Sequence, residues 1–480
     1  MPERLTREYQ ANIIENNHIG KIKRVTISFV GDTMARVALI GDNSIEYVNT
    51  LLDIWNSGDC AVLIDWRIPL QTAHQMMIEA NVAKCYIERR IFSKISPEDY
   101  SQFQFEVYDN NTATAKELPT DIYEKFHENY SRNEAIIIYS SGTTGKSKGV
   151  ILSHYAINTN ADAIMEYMKL NRDDCIYMVK TISHLSSITG ELLTALKSRT
   201  KIIIGPVVVP PRIILNNVQK FGVTDMCINP TILRLVVEEC SRKDYNISSL
   251  HNIYVHGAKT DTKLSEKAKD VFSDINIYFE YGLTEAGPRV TSQKVNDSHN
   301  ESAGLPIYGV QIAIIGDNGL PSNTGAAGII HVKTPSIYNG YVCGEEKHKS
   351  LYNDWLNTGD VGYIDNAGEL HVVDRIDDVI NIGAHKIYPS DVEKLILVNN
   401  NISACVVSKC TYNGTETIGC LYVSDNDCAL SIMQQFKTKL MPYEIPKRYV
   451  RIAEIPCNIR GKVNRSEVSR ILSTSVDERT

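Results

Sequence analysis

The sequence predicts an α/β fold: a large N-terminal domain of helix-covered sheets with a β-rich subdomain, then a smaller α+β C-terminal domain. Three observations lead there. Short β-branched apolar runs alternate with helix-length amphipathic stretches over the first 280 residues. Beyond about residue 300 the texture changes to strands joined by Gly- and Asn-containing turns. From about residue 388 a smaller mixed unit follows, which sets the domain boundary near 375–378 and divides the chain into 1–376 and 377–480. A length of 480 residues, at about 150 per domain, fits more than one unit.

Taken in order, "RVALIG" (36–41), "CAVLID" (60–65), "AIIIYS" (135–140), "CIYMVK" (175–180), "KIIIG" (201–205), "VTDMCIN" (223–229), "NIYVHG" (252–257) and "NIYFEYG" (276–282) read as buried strands of parallel sheets. The stretches 44–57, 186–198 and 262–272 between them are long enough for covering helices. The polar stretch 91–131 interrupts this alternation, and its "DNNTATAKELPT" reads as a linker or surface loop. Later, 310–333 and 361–380 read as antiparallel hairpins. The last unit shows helix patterns at 389–398 and 430–440 and strand patterns at 403–408 and 417–423.

Composition narrows the function. With 43% hydrophobic and 22% charged residues the chain buries an ordinary globular core. A formal charge of -7 without a Lys/Arg block gives no surplus for a phosphate backbone, so nucleic acid is not expected as a partner. The polar N-terminus offers neither a signal peptide nor a transmembrane span, and eleven cysteines without a CxxC pair suit reduced thiols, so the expected location is cytoplasmic.

Chemistry gathers where parallel strands end. Behind "AIIIYS" stands "SGTTGKSKG", whose glycines free backbone N–H groups and whose hydroxyls and lysines suit a polyphosphate. It is not a Walker A loop, which needs four residues between its first Gly and the Gly-Lys pair. Only Thr143 and Thr144 separate Gly142 from Gly145. In "YFEYGLTEAG" (278–287), Glu285 suits Mg²⁺ beside a phosphate; Thr284 as a helix cap with Glu285 in the first turn is an equally physical reading, and both can hold together. Asp360 and Arg375 bracket a hairpin that would bring both to one ligand.

These stretches, "YSSGTTGKSKGV", "YGLTEAG", "NTGDVGYID", "DRIDDVINIGAHKIYPSDVE" and "GKVNR", resemble in order and spacing the adenylate-forming superfamily of acyl-CoA synthetases, nonribosomal-peptide adenylation domains and luciferases. The acyl- and aryl-CoA ligases are the nearer pattern. The resemblance implies that a carboxylate attacks the α-phosphate of ATP to give acyl-AMP and pyrophosphate, and that a thiol then displaces AMP. It implies that Ser140, Ser141, Gly142, Thr143, Thr144, Gly145, Lys146 and Lys148 cradle the β- and γ-phosphates, with Thr284 on the α-phosphate and Glu285 on Mg²⁺. Tyr281, Gly257 and Ala258 would flank adenine, and Asp360 and Arg375 would hold the ribose. Lys462 would reach from the mobile C-terminal domain to the attacking carboxylate, that domain rotating about Asp377.

For the acid, the resemblance places 183–196 along the pocket. Leu185 stands where amino-acid-activating members carry an Asp, which disfavours an α-amino acid, since a buried ammonium would lack its partner. His184 matches a position that gates the carboxylate; an ordinary core or surface His is the alternative. For the acceptor, CoA is expected through a channel at Gly383 and Ala384, although Ala384 replaces a Gly common in CoA-using members and would narrow it. Ser147 and Asp374 also depart from the family's usual Pro and Gly without removing a catalytic group. The expectation is therefore an ATP- and Mg²⁺-dependent ligase joining a non-amino acyl or aryl acid to CoA. The alternatives are a standalone ligase that loads the phosphopantetheine of a separate carrier protein or forms an amide, and, from another class, a phosphate-releasing NTPase switch.

Overall fold

In a computed structural model the described residues are 34–95, 102–141, 147–207, 209–257, 262–295, 302–343, 351–382, 385–398, 401–412, 414–436, 440–457 and 463–474. Two large sheets dominate. The first has seven strands in the order Gly340–Tyr341, Ser147–Ser153, Glu134–Ser141, Cys60–Asp65, Arg36–Gly41, Lys84–Glu88 and Gln104–Tyr108. The second has eight: Leu305–Pro306, Thr291–Lys294, Asn276–Tyr281, Asn252–Val255, Asp225–Ile228, Cys175–Met178, Lys201–Ile204 and Lys116–Glu117. Their central strands run parallel, as the alternating pattern requires.

Side-chain alternation along these strands builds three apolar layers. Ala38, Ile40, Val62 and Ile64 pack outward from the first sheet, with Met76 and Met77 of the helix Leu70–Glu79. Met226, Ile228, Ile253 and Val255 pack outward from the second, with the helices Pro211–Phe221, Pro230–Cys240 and Thr262–Val271. Between the sheets, Val37, Leu39, Leu63, Ile176 and Met178 share one core with the helices Ile45–Asn56 and His154–Met168. Local chemistry starts these helices: the Ser44 hydroxyl accepts from Tyr47 N (3.0 Å), and Asn229 accepts from Ile232 N (2.8 Å) ahead of Pro230 at the first helical position.

One side chain joins the two sheets. Asn43, fully buried in the loop after Arg36–Gly41, donates to Lys180 O (2.7 Å) and accepts from Ile182 N (2.7 Å), both in the loop after Cys175–Met178. The carboxyl ends of the two sheets are thereby held face to face.

The structure corrects several expectations. "DNNTATAKELPT" is not wholly loop, because Lys116–Glu117 adds an antiparallel edge strand to the second sheet. Lys84–Glu88 and Gln104–Tyr108 are further strands that a polar surrounding disguised. The helix expected over 186–198 is three pieces, Leu185–Ser187, a π-helical turn Ile188–Leu193, and Thr194–Ser198. Ser147–Ser153 pairs antiparallel with Glu134–Ser141, so a strand follows the glycine-rich stretch, whereas a Walker A loop leads into a helix.

A third sheet holds the expected hairpins, Gln311–Ile315 with Gly328–Lys333 and Trp355–Ile364 with Leu370–Arg375. Beyond it the strands Ala404–Tyr412, Thr415–Val423 and Arg448–Ile452 form a separate sheet with the helices Pro389–Leu397, Ala429–Phe436 and Arg465–Thr474. This smaller sheet has its own core around Val407, Ile418, Ile432 and Phe436.

Where the smaller unit meets the hairpins, Arg465 pairs with Asp378 (Nε to Oδ2, 3.1 Å) and Glu393 (Nη1 to Oε1, 3.7 Å), and Glu393 Oε1 accepts from Val407 N (2.7 Å). Asp374 accepts from Ser390 N (3.1 Å) in the same cluster. Burial pushes the Glu393 carboxyl up to about 7, against the pull of Arg465, and raises Asp378 as well. A carboxyl raised in the folded state adds stability at low pH and loses it as pH climbs toward its folded value. Denaturant unfolding of the smaller unit is therefore expected to show stability falling by on the order of 2 kcal/mol between about pH 4.5 and 7. Glu393→Gln should flatten that segment of the curve; an unchanged slope in the variant would assign it to other groups.

Candidate active site

The strand ends open onto a single cavity of about 1140 Å³. Asp360, on Trp355–Ile364, lies directly across the strand pair from Arg375, with Oδ1 3.6 Å from Arg375 Nη1. Asp360 Oδ2 accepts from Tyr281 OH (2.6 Å) at the end of Asn276–Tyr281. Burial, reinforced by Asp360, raises the Tyr281 phenol well above its usual value, so the hydroxyl remains a donor. Gly359 has φ +72°, and a Cβ there would meet Arg375 Nη2 at 3.3 Å; glycine lets the guanidinium lie close to this turn.

Beyond Tyr281 the chain passes through a single 3-10 turn, Thr284–Ala286. Thr284 is not a helix cap: Leu283 holds that position without a side-chain bond. Glu285 faces the cavity, its Oε1 accepting from Tyr341 OH (2.9 Å), while its backbone carbonyl accepts from Tyr338 N (3.0 Å). On the same side of the cavity, Ser140 and Lys148 pair in register between Glu134–Ser141 and Ser147–Ser153, with Lys148 Nζ 5.5 Å from the Tyr341 ring centroid.

The remaining expected residues divide. His184 lines the cavity with Nε2 3.9 Å from Asp65 Oδ2; Asp65 is gripped by Arg67 through Nη2 to Oδ2 (2.6 Å) and Nε to Oδ1 (2.9 Å). Burial alone would raise Asp65, yet the guanidinium holds its carboxyl below the usual range. Gly257 follows Asn252–Val255 with φ +96° and borders the cavity, and Asp377 lies exposed in the turn after Arg375. The structure thus brings Ser140, Lys148, His184, Gly257, Tyr281, Thr284, Glu285, Asp360, Arg375 and Asp377 to one cavity. Gly142, Thr143, Thr144, Gly145, Lys146, Ala258, Gly383, Ala384 and Lys462 lie outside the described residues, as does the Ser141 side chain.

Sequence reasoning missed a buried charged cluster in the same wall. Lys180 Nζ lies 2.7 Å from His256 Nε2 and 3.3 Å from Glu191 Oε2, and Arg289 Nε lies 2.6 Å from Glu280 Oε2, whose Oε1 accepts from Tyr167 OH (2.5 Å). Glu191 is wholly buried, and Lys180, His256, Glu280 and Arg289 are 2–8% exposed. Burial lowers Lys180 and raises Glu191, each opposed by the other's charge. The available signals were a Lys ending "CIYMVK" and a Glu inside "SITGELL", each a charge within an apolar run.

A family model described as AMP-binding enzyme matches residues 31–342. A 2-succinylbenzoate--CoA ligase of Bacillus cytotoxicus is 28% identical over 444 residues, spanning 91% of this chain and 88% of that protein. The ligase of the same name from Bacillus cereus AH820 is 27% identical over 443 residues, with the same coverage. Among solved structures, o-succinylbenzoate CoA synthetase (MenE) of Bacillus subtilis, in complex with the acyl-adenylate intermediate OSB-AMP, matches with a TM-score of 0.77 at 21% identity. That match covers 90% of this chain and 88% of the other. ATP-bound MatB of Rhodopseudomonas palustris matches with a TM-score of 0.80 at 20% identity, covering 92% and 89%. The likeness to these two structures is one of fold.

Proposed function

This chain belongs to the AMP-binding enzyme family, and from that membership we propose that it activates a non-amino acyl or aryl carboxylic acid with ATP and passes the acyl group to CoA. The observation that carries the reading is the triad of Tyr281, Asp360 and Arg375 lining the cavity that Thr284 and Glu285 also line. An acceptor carboxylate beside a cation suits the vicinal hydroxyls of a ribose. CoA as acceptor is supported by the name shared by the two ligases that match nine-tenths of the chain. Loading of a carrier-protein phosphopantetheine, or amide formation, is the second reading, favoured by Ala384 in place of glycine. The free thiols, eight of eleven buried, support a cytoplasmic setting.

Glu285 fits Mg²⁺, since one cavity-facing carboxylate beside phosphate oxygens is the setting that ion prefers. Bound there, it would neutralise charge on the ATP phosphates. Asp360 and Arg375 orient the ribose, and Tyr281 and Gly257 flank adenine together with Ala258. Ser140, Lys148 and the intervening loop hold the β- and γ-phosphates, and Thr284 the α-phosphate. The acid enters along the segment that begins at His184 and places its carboxylate for in-line attack, so that pyrophosphate leaves and acyl-AMP forms. The thiol then attacks the acyl carbonyl and AMP departs. Lys462 serves the first step from the smaller domain, residues 377–480, which rotates about Asp377 between the two steps.

The test is acid-dependent exchange of labelled pyrophosphate into ATP, run with Mg-ATP and a panel of aryl, fatty and amino acids, with CoA then added to trap the thioester. Exchange with non-amino acids alone is expected. Steady phosphate release without exchange would return the glycine-rich loop to an NTPase switch. Asp360→Asn should raise the KM for ATP roughly 10- to 100-fold through lost charge-assisted bonds, while the KM for the acid moves less than about threefold. A matched rise in both constants would remove Asp360 from the ribose site.

A further inference from the structure

Resting on that reading, we propose that the acid carries an uncharged oxygen, a hydroxyl or carbonyl remote from the reacting carboxylate, recognised by Arg289 and His256. Two features make this wall unusual. Arg289 is 2% exposed and lines the cavity, and its Nε, 2.6 Å from Glu280 Oε2, forms an ion pair without hydrogen-bond geometry, so that this buried donor and that acceptor both stand unsatisfied. A buried donor ordinarily has an acceptor, and a guanidinium left unsatisfied at the cavity wall points to one supplied by a ligand. His256 is 6% exposed and also lines the cavity. An ammonium offers only donors, so Lys180 Nζ at 2.7 Å makes Nε2 the acceptor and places the ring proton on Nδ1, a second donor.

The architecture around them is built to hold these groups. Glu191 comes from the π-helical turn Ile188–Leu193, a distortion that recurs at functional sites. Its neighbour Gly190 has no side chain where a Cβ would stand 3.1 Å from Arg289 Nη2. Glu280 and Tyr281 are consecutive on one strand and project to opposite faces, so Tyr281 reaches Asp360 while Glu280 turns into this cluster.

Charge decides the class of ligand. Lys180 and Arg289 are matched by Glu191 and Glu280, giving a net charge of zero, and burial flanked by Arg289 and Lys180 keeps His256 neutral. A second carboxylate would enter as an uncompensated buried charge. A plain hydrocarbon would leave the Arg289 and His256 donors unpaired. A hydroxyl or carbonyl oxygen satisfies both donors without adding charge.

The experiment compares kcat/KM in pyrophosphate exchange for matched acids: benzoate, its hydroxy and acetyl derivatives, and its carboxy derivatives, with octanoate, ω-hydroxyoctanoate and suberate as the aliphatic set. The best uncharged oxygenated acid is expected to exceed its unsubstituted parent by about 10²-fold or more, a ratio that hydrogen-bonding pockets reach. Arg289→Met alone strands Glu280, so the decisive protein is the paired variant Arg289→Met/Glu280→Gln, which removes both charges together. In it the preference should fall below about threefold through KM for the acid, with KM for ATP little moved. A best substrate that is dicarboxylic or unsubstituted would overturn the inference and leave the ligase reading standing, as would a preference that survives in the paired variant. No exchange with any acid would overturn both.

Discussion

Lys462→Ala is expected to lower acid-dependent pyrophosphate exchange by about 10³-fold while changing transfer from a supplied acyl-adenylate to CoA by less than about tenfold. On the role proposed for Lys462, the variant removes a preorganised cation from the point where charge develops in the transition state, where single donors are commonly worth 10²- to 10³-fold. The asymmetry follows from the two-unit architecture. Lys462 falls in the chain between Arg448–Ile452 and Arg465–Thr474, which belong to the unit with its own three-stranded sheet, while the triad of Tyr281, Asp360 and Arg375 belongs to the larger one. A group delivered by a rotating unit can be present for one step and withdrawn for the other. Single-turnover measurements of the two halves decide it: equal loss in both would sink the rotation about Asp377.

The second large effect is on stability. Glu191→Ala should destabilise the protein by about 3 kcal/mol or more, because it leaves Lys180 buried without its counter-charge. Lys180→Met/Glu191→Leu, which removes both charges and refills much of the volume, should recover most of that loss. Urea unfolding of wild type, single and paired variants separates the two outcomes. A single variant as stable as wild type would show that the pair contributes nothing to holding the π-helical turn.

Those two variants also divide what the sequence disclosed from what it hid. Arg36–Gly41, Cys60–Asp65 and Cys175–Met178 were legible because a buried parallel strand is a nearly uninterrupted apolar run, whatever lies beside it. Asp360 and Arg375 were legible because one hairpin separates them, and local pairing brings them opposite each other. The π-helical turn was not, since its sequence reads as an ordinary amphipathic helix and the Arg289 guanidinium that lies close over Gly190 is 99 positions away in the chain. The cluster around Lys180 was equally hidden. Its members come from five separate segments, and nothing local distinguishes a charge awaiting a distant partner from one facing solvent.

The bonds made by Asn43 bear on the order in which the molecule becomes competent. Its partners Lys180 and Ile182 lie 137 and 139 positions further along the chain, so this contact closes one of the longest loops in the protein. Loop-closure entropy opposes such contacts until the segments between have collapsed. Helices and sheets can each take shape on local pairing, but the cavity wall that carries Lys180 takes its final position only when the two sheets have met. Competence is thus a late property of folding, and a nascent chain ending at Ser153, with six of the first sheet's seven strands made, still has no place to bind an acid.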